Sequence, residues 1–383
     1  MRIGFDLRPS SRVNSRRRGI GKYTFHLATE LLSAPSQHEF VLYHAKGQHP
    51  TFDSGQQKRQ VGLPELTRAH RLNWLVDHLF LGRRLARDGL DLFHATDVTS
   101  IPSSRTCEVW AHVHDLIPFM FWAETKQSLP WDYIGALKWA LRRMTHSDLI
   151  ITDSDHSKRD ICGKLDRPEE SVRVIYPSCH PSFGPRDREE SRAILAQQFA
   201  IHDPFLFYVG GSDFRKNLPR LLTAFRRIVD LGYSGKLVLA GESFLWNIEE
   251  VRLLKQQIEK ERTQRFVLFP GYVPDRLLPN FYSACDLFIF PSLYEGFGLP
   301  VLEAIRCEAK VLASRSSSIP EVAGEAAEYF DPEDENSIVD AFERVFDNPS
   351  RGEELTRMCR HQSDRFSWKN VVGQILDLYD SRK

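Results

Sequence analysis

The sequence predicts an α/β protein built from two parallel-sheet domains. Three observations carry this: a length of 383 residues, a repeated alternation of short apolar runs with helical patterns, and a Pro-rich interruption near the middle. A chain this long exceeds one typical domain and suits two, each burying its own core. Hydrophobic residues at 42%, charged residues at 27% and aromatic residues at 11% are those of an ordinary globular protein, with no low-complexity tract pulling toward disorder.

Taken in order, Arg2 to Leu7 reads as the first strand. Runs at Phe40 to Tyr43, Asp91 to His94, Val109 to Val113, Leu149 to Thr152 and Val172 to Tyr176 are short, apolar and bounded by turn residues, as strands are. Between them, Tyr23 to Leu32 places Leu27, Leu31 and Leu32 at helical spacing, and Trp139 to Met144 is helical too. Alternation of this kind implies a parallel sheet covered by helices. The segment Tyr176 to Pro185 then packs three prolines and a glycine, as a domain linker does. Beyond it the pattern restarts with strands at Phe205 to Val209, Lys236 to Ala240, Phe266 to Phe269, Leu287 to Phe290 and Val311 to Ala313, and a helix over Asn217 to Leu231. Ser367 reads as the N-cap of a last amphipathic helix carrying Val371, Val372, Ile375, Leu376 and Leu378. The expected division is 1–180, 181–365, and a terminal helix over 366–383.

Lys plus Arg equals 51 and Asp plus Glu equals 51, so no global positive field exists to drive nonspecific nucleic-acid binding. Any anion site is therefore local. Six scattered cysteines, with no C-x-x-C, suit a reducing cytoplasmic setting and exclude a zinc framework. Met1 runs directly into the first strand, which leaves no room for a signal peptide. With no apolar stretch near 20 residues, membrane contact is expected to be peripheral at most.

The segment Glu295-Gly296-Phe297-Gly298-Leu299-Pro300-Val301-Leu302-Glu303-Ala304 follows the strand Leu287 to Phe290. Open α/β sheets bind ligands at such carboxyl edges, and Pro300 suits the first helical position. The amides of Gly298 and Leu299 then point outward as an anion cradle. Glu295 falls in the loop and Glu303 in the first helical turn, offering carboxylates to sugar hydroxyls. The ordinary alternative is a glycine loop with solvated glutamates. Gly210 to Asn217 also follows a strand, and Arg215 and Lys216 stand at a helix start, where cations oppose the dipole unless an anion is present. Arg16-Arg17-Arg18-Gly19-Ile20-Gly21-Lys22-Tyr23 lies between the first strand and first helix; small residues there let backbone approach a ligand. It is not a Walker loop, since Arg16 replaces the first glycine and Tyr23 the Ser or Thr, and no G-x-G-x-x-G occurs. Arg16 to Arg18 read equally as a solvated run or as an acceptor-phosphate contact. Asp153 and Ser154 begin a helix, where capping alone accounts for them. Phe119, Phe121, Trp122, Trp131, Tyr133 and Trp139, with Lys126, Lys138, Arg142 and Arg143, read as core or as an amphipathic surface touching lipid.

The E-x7-E pattern within Glu295 to Ala304 resembles the signature of family-four retaining glycosyltransferases of the GT-B fold, two Rossmann-like domains whose parallel sheets face across a cleft. Gly19-Ile20-Gly21-Lys22-Tyr23, His114-Asp115-Leu116-Ile117-Pro118, Asp153 to Asp160 and Gly210 to Asn217 resemble further segments of that family in the same order. The resemblance implies an amino-terminal acceptor domain, a carboxyl-terminal donor domain, and a catalytic set of His114, Glu295 and Lys216. It assigns His114 and Glu295 to the transferred sugar, Glu303 to the nucleotide ribose, and Arg215 and Lys216 to the donor diphosphate. Gly19, Gly21, Ser212, Tyr272, Val273, Phe297, Gly298 and Leu299 complete the implied donor-binding set. Many members carry an arginine just after the strand where this chain has Gly211 and Ser212, which shifts the diphosphate onto Arg215 and Lys216.

No metal and no cofactor are expected; the sugar nucleotide is a substrate. Likeness to bacterial mannosyltransferases of surface-polysaccharide, O-antigen and lipopolysaccharide assembly suggests GDP-mannose, with UDP-glucose or another UDP-hexose next. The implied acceptor is an oligosaccharide or a lipid-linked one, met in the cytoplasm at the inner face of the membrane. A GT-B sugar-nucleotide epimerase is the alternative enzyme. A noncatalytic scaffold fits the intact motif residues poorly, and a dinucleotide oxidoreductase lacks its glycine fingerprint.

Overall fold

The computed structural model describes residues 1–11, 19–48, 51–52, 58–64, 73–103, 106–122, 131–246 and 248–382. The chain divides into two compact units: Met1–Pro177 together with Trp368–Lys383, and Ser178–Ser367.

In the first unit seven strands, β1 (Arg2–Asp6), β2 (Glu39–Ala45), β3 (Lys58–Leu63), β4 (Leu92–Ala95), β5 (Glu108–His112), β6 (Leu149–Thr152) and β7 (Val172–Val174), form a parallel sheet in the order β3-β2-β1-β4-β5-β6-β7. Alternate side chains leave a strand on opposite faces, and the sheet is buried on both. Val41, Tyr43, Phe93, Val109 and Ile150 join one core with Leu81, Leu85, Leu137 and Ile161. Their neighbours Phe40, Leu42, Leu92, Trp110 and Ile151 join another with Leu27 and Leu31 of the helix Gly19–Ser33. The terminal helix Trp368–Asp380 completes that second core through Trp368, Val371, Ile375 and Tyr379. An apolar stripe on a late helix thus closes a sheet made by the first half of the chain.

In the second unit six strands, β8 (Phe205–Val209), β9 (Lys236–Ala240), β10 (Val267–Gly271), β11 (Leu287–Phe290), β12 (Val311–Ser314) and β13 (Ala327–Phe330), run parallel in the order β10-β9-β8-β11-β12-β13. Phe207, Phe281, Tyr282 and Phe288 pack ring against ring beneath it, with centroids 5.0 to 6.0 Å apart. Both units are thus Rossmann-like, as the alternation of strands and helices predicts.

The strands absent from the sequence reading are β3 and β13, both at sheet edges. Edge strands pair on one side only and need no continuous apolar run. The helix Asn73–Asp88 was also unforeseen. All six cysteines are free thiols, in keeping with their scattered spacing. Among the described residues no helix is long and apolar enough to cross a membrane.

Candidate functional site

In a doubly wound sheet the strand order reverses at one place, and the loops leaving the two strands there open a crevice at their carboxyl ends. In the second unit that place lies between β8 and β11. The loop after β8 carries Gly210 to Lys216 and the loop after β11 carries Pro291 to Gly298, so the topology brings the two motif segments together. Lys216 Nζ donates to Glu295 Oε1 at 2.6 Å, with the side chains 14% and 11% exposed. Lys216 also lies over the Phe290 ring, 5.4 Å from its centroid. A cation and an anion so nearly removed from water are coupled far more strongly than a surface pair.

Several groups that motif reading did not single out hold this pair in register. The Leu293 amide donates to the Arg215 carbonyl at 2.7 Å, joining the two loops directly. A serine run after β12 fastens the glutamate loop: Ser314, Ser316 and Ser318 hydroxyls donate to the carbonyls of Ser292, Leu293, Glu295 and Phe297, and the Glu295 amide donates to Ser317 Oγ. Asn217, buried with φ of 56° in the left-handed region, donates through Nδ2 to Pro291 O at 3.1 Å and Pro332 O at 2.7 Å. It thereby ties the loops after β8, β11 and β13. Replacing Asn217 by Ala removes both bonds and puts a Cβ-branching-free but αL-averse residue at this φ. Stability in urea is expected to fall by about 2–4 kcal/mol. A loss below about 1 kcal/mol would show that the three loops do not depend on this side chain.

The structure corrects three local expectations. Arg215 and Lys216 do not open a helix: they sit in a one-turn 3₁₀ segment, Phe214–Lys216, and the helix Leu218–Asp230 begins only after the left-handed Asn217. Their charges are met by Asp213, 2.9 Å from Arg215 Nε, and by Glu295, so the anions present are the protein's own. Second, the helix Leu299–Arg306 starts at Leu299, which makes Pro300 its second residue and puts Glu303 in the second turn. Gly298 supplies the reason: its φ of 103° breaks the chain direction just before the helix. Glu303 accepts a hydrogen bond from the buried Tyr282 hydroxyl at 2.9 Å. Third, Gly19 and Gly21 are not loop residues but lie in the first turn of the helix Gly19–Ser33, Gly19 exposed and Gly21 buried.

Of the other expected residues in this unit, Phe297 is buried edge-on against Phe366, and Ser212 and Val273 are buried. Leu299 is half-buried, and Tyr272 is half-exposed after β10. Gly241, after β9, was not foreseen. A Cβ there would sit 2.0 Å from the Gly210 carbonyl, so only glycine lets these two loops approach.

In the first unit the carboxyl ends of β5 and β6 assemble a histidine-carboxylate group. His112 Nε2 and His114 Nδ1 lie 2.8 and 2.7 Å from the two oxygens of Asp153. The imidazoles stack with centroids 4.5 Å apart, and the Tyr23 ring meets both edge-on. Burial alone would lower the His114 pKa, but the Asp153 charge and hydrogen bond, with Asp115 and Asp97, outweigh it and hold the group at about 8. Burial and the neighbouring His114 charge push His112 down, so His112 is the neutral member. Burial would raise Asp153, yet the two histidines keep it well below the usual carboxylate range. These are the only three metal-capable side chains grouped together among the described residues. Their ligand atoms face one another at hydrogen-bond distance, an arrangement that shares protons.

Ser154 caps the helix Asp155–Leu165 by accepting from the Ser157 amide at 3.0 Å, so capping does account for that serine. Phe119 is buried and Trp122 packs against the core, which favours the core reading of the aromatic cluster; Met120 alone of Phe119 to Trp122 is exposed. Arg16 to Arg18 and Lys126, and the side chains of Trp131 and Tyr133, lie outside the described residues.

The family described as "Glycosyl transferases group 1" matches residues 190–364, and "Glycosyltransferase Family 4" matches residues 17–183. An O-antigen chain mannosyltransferase B of Escherichia coli is 32% identical over 232 residues, 60% of this chain and 60% of that protein. The serotype-specific mannosyltransferase WbdA of Escherichia coli is 30% identical over 239 residues, 62% of this chain and 29% of that protein. The alignments thus span less than two thirds of these curated relatives. Sucrose-phosphate synthase from Thermosynechococcus elongatus superposes with a TM-score of 0.79 at 20% identity, over 100% of this chain and 98% of that one, so its GT-B fold is shared. With the two family models together matching residues 17–183 and 190–364 and the fold shared from end to end, the chain belongs to the group 1, family 4 glycosyltransferases.

Proposed function

We propose that this chain transfers a hexose from a sugar nucleotide to a saccharide or lipid-linked oligosaccharide, with retention of anomeric configuration. Mannose from GDP-mannose is the first candidate, in O-antigen-type polysaccharide synthesis on the cytoplasmic side of the membrane. The observation that carries this reading is the Lys216–Glu295 pair at the strand-order reversal of the second unit. Likeness to two mannosyltransferases supports the choice of sugar.

On this reading the second unit binds the donor and the first the acceptor. The donor diphosphate takes Lys216 from Glu295, and the freed carboxylate turns to the hydroxyls of the transferred sugar. Arg215, Lys216 and the amides at the start of the helix Leu299–Arg306 stabilise charge as the diphosphate leaves. Glu303 holds the ribose, and His114 contacts the sugar. Departure of the diphosphate on the face that the acceptor attacks accounts for retention.

A thermal-shift screen of sugar nucleotides tests the donor: GDP-mannose is expected to stabilise the protein most, ahead of UDP-glucose. Product formed by inversion, read by proton NMR of the new anomeric centre, would overturn the retaining step. Conversion of donor without any acceptor would point instead to an epimerase. Side-chain cations rather than a bound ion balance the diphosphate here, so EDTA is expected to leave transfer intact. Activity abolished by chelator and restored by magnesium would refute that.

A further inference from the structure

The group formed by Asp153, His112 and His114 has more order than a sugar contact by one histidine requires. Asp153 is nearly buried and presents one oxygen to each ring, at 2.7 Å to His114 Nδ1 and 2.8 Å to His112 Nε2. Both rings are fixed a second time, by stacking on each other and by the edge of Tyr23. The nitrogens turned away from the carboxylate, His114 Nε2 and His112 Nδ1, are buried and have no hydrogen-bond partner among the described residues. His112 is sealed, whereas the His114 side chain is 13% exposed with its Nε2 covered and unpartnered, so of the two rings only His114 borders the surface.

We propose that Asp153 is a positioning residue that holds His114 as an imidazolium, with Nδ1–H on the carboxylate and Nε2–H left as a charged donor for a substrate oxygen. This rests on reading the chain as a sugar-nucleotide transferase. A carboxylate buried between two imidazoles is balanced by one proton, since two cationic rings stacked at 4.5 Å would repel each other. That proton belongs on His114. The groups facing it are Tyr23 from the helix Gly19–Ser33, Asp97 after β4, His112 on β5, the adjacent Asp115, and Asp153 after β6. Among the described residues three of these are carboxylates and none is a lysine or arginine. His112 lacks the Asp97 and Asp115 contributions and lies next to the charge. A charged donor fixed before substrate arrives costs no reorganisation when negative charge grows on a reacting oxygen.

Asp153→Asn keeps the shape and one acceptor and removes the charge. In a side-chain NMR titration without substrate, the His114 midpoint is expected to fall from about 8 by more than about one pH unit. Because the charged ring is the active form, activity is lost as pH rises through that midpoint. The basic limb of kcat/KM is therefore expected to move to lower pH in Asp153→Asn by the same amount. Asp153→Glu, which keeps the charge, is expected to hold the midpoint above 6.5 and serves if the Asn variant fails to fold. An unmoved midpoint in a folded Asp153→Asn protein overturns the proposal, as does a moved midpoint with an unmoved limb. A merely structural Asp153 would lower stability and leave the limb in place. The titration needs no substrate, so failure of every sugar nucleotide to react would strike the functional reading and leave this measurement standing.

Discussion

Lys216→Ala is expected to lower kcat/KM for transfer by about 10²–10³, because a cation fixed where diphosphate charge develops acts at the transition state. The same change strands Glu295, whose side chain is 11% exposed and loses its 2.6 Å partner. Stability should therefore fall as well, by about 3 kcal/mol or less given the residual exposure of the pair. The two losses are separable. In Lys216→Ala/Glu295→Ala the stranded carboxylate is gone, so stability should largely return while transfer stays low. A double-mutant cycle in urea and in kcat/KM reads both. Lys216→Ala retaining transfer within about threefold of the parent would remove this lysine from the diphosphate site.

The second large effect separates the glutamates. Glu295→Ala is expected to lower kcat by about 10²–10³, since hydrogen bonds to the reacting sugar matter most as charge builds at its anomeric carbon. Its effect on free nucleoside diphosphate has a definite sign. With Glu295 absent, Lys216 no longer exchanges one anion for another, so diphosphate affinity should hold or rise. Glu303→Ala is expected to weaken donor and free nucleotide together, by about 1.5–3 kcal/mol for a lost charged hydrogen bond. Glu303 also accepts from the buried Tyr282 hydroxyl, so part of its loss is structural. Tyr282→Phe separates this part, because it keeps the carboxylate and removes only the hydroxyl. Calorimetry with nucleoside diphosphate decides the matter. Affinity lost in Glu295→Ala and kept in Glu303→Ala would reverse the donor orientation assigned to these residues.

Much of the fold is legible in the chain because central parallel strands are buried on both faces and must be apolar from end to end. Phe205–Val209, Lys236–Ala240 and Leu287–Phe290 are bounded in the structure where their composition changes. The edge strand Lys58–Leu63, with Lys58, Arg59 and Gln60, shows no such run, since one side of its ladder has no partner strand. Helix starts are read less well than strands. Gly298 and Asn217 both adopt positive φ and each displaces a helix start past a motif residue, a choice that local propensity leaves open.

The sequence by itself determined the class of sheet, the presence of two domains, and the identity of the charged and glycine-bearing segments, because burial and turn chemistry act within a few residues of each position. Only the tertiary structure decided which of those segments meet. Lys216 finds Glu295 across 79 positions, and His114 finds Asp153 across 39. Both pairings come from strand order, which puts β8 beside β11 and β5 beside β6. Strand order is set by crossover connections and by the packing of whole faces, and no window along the chain contains it.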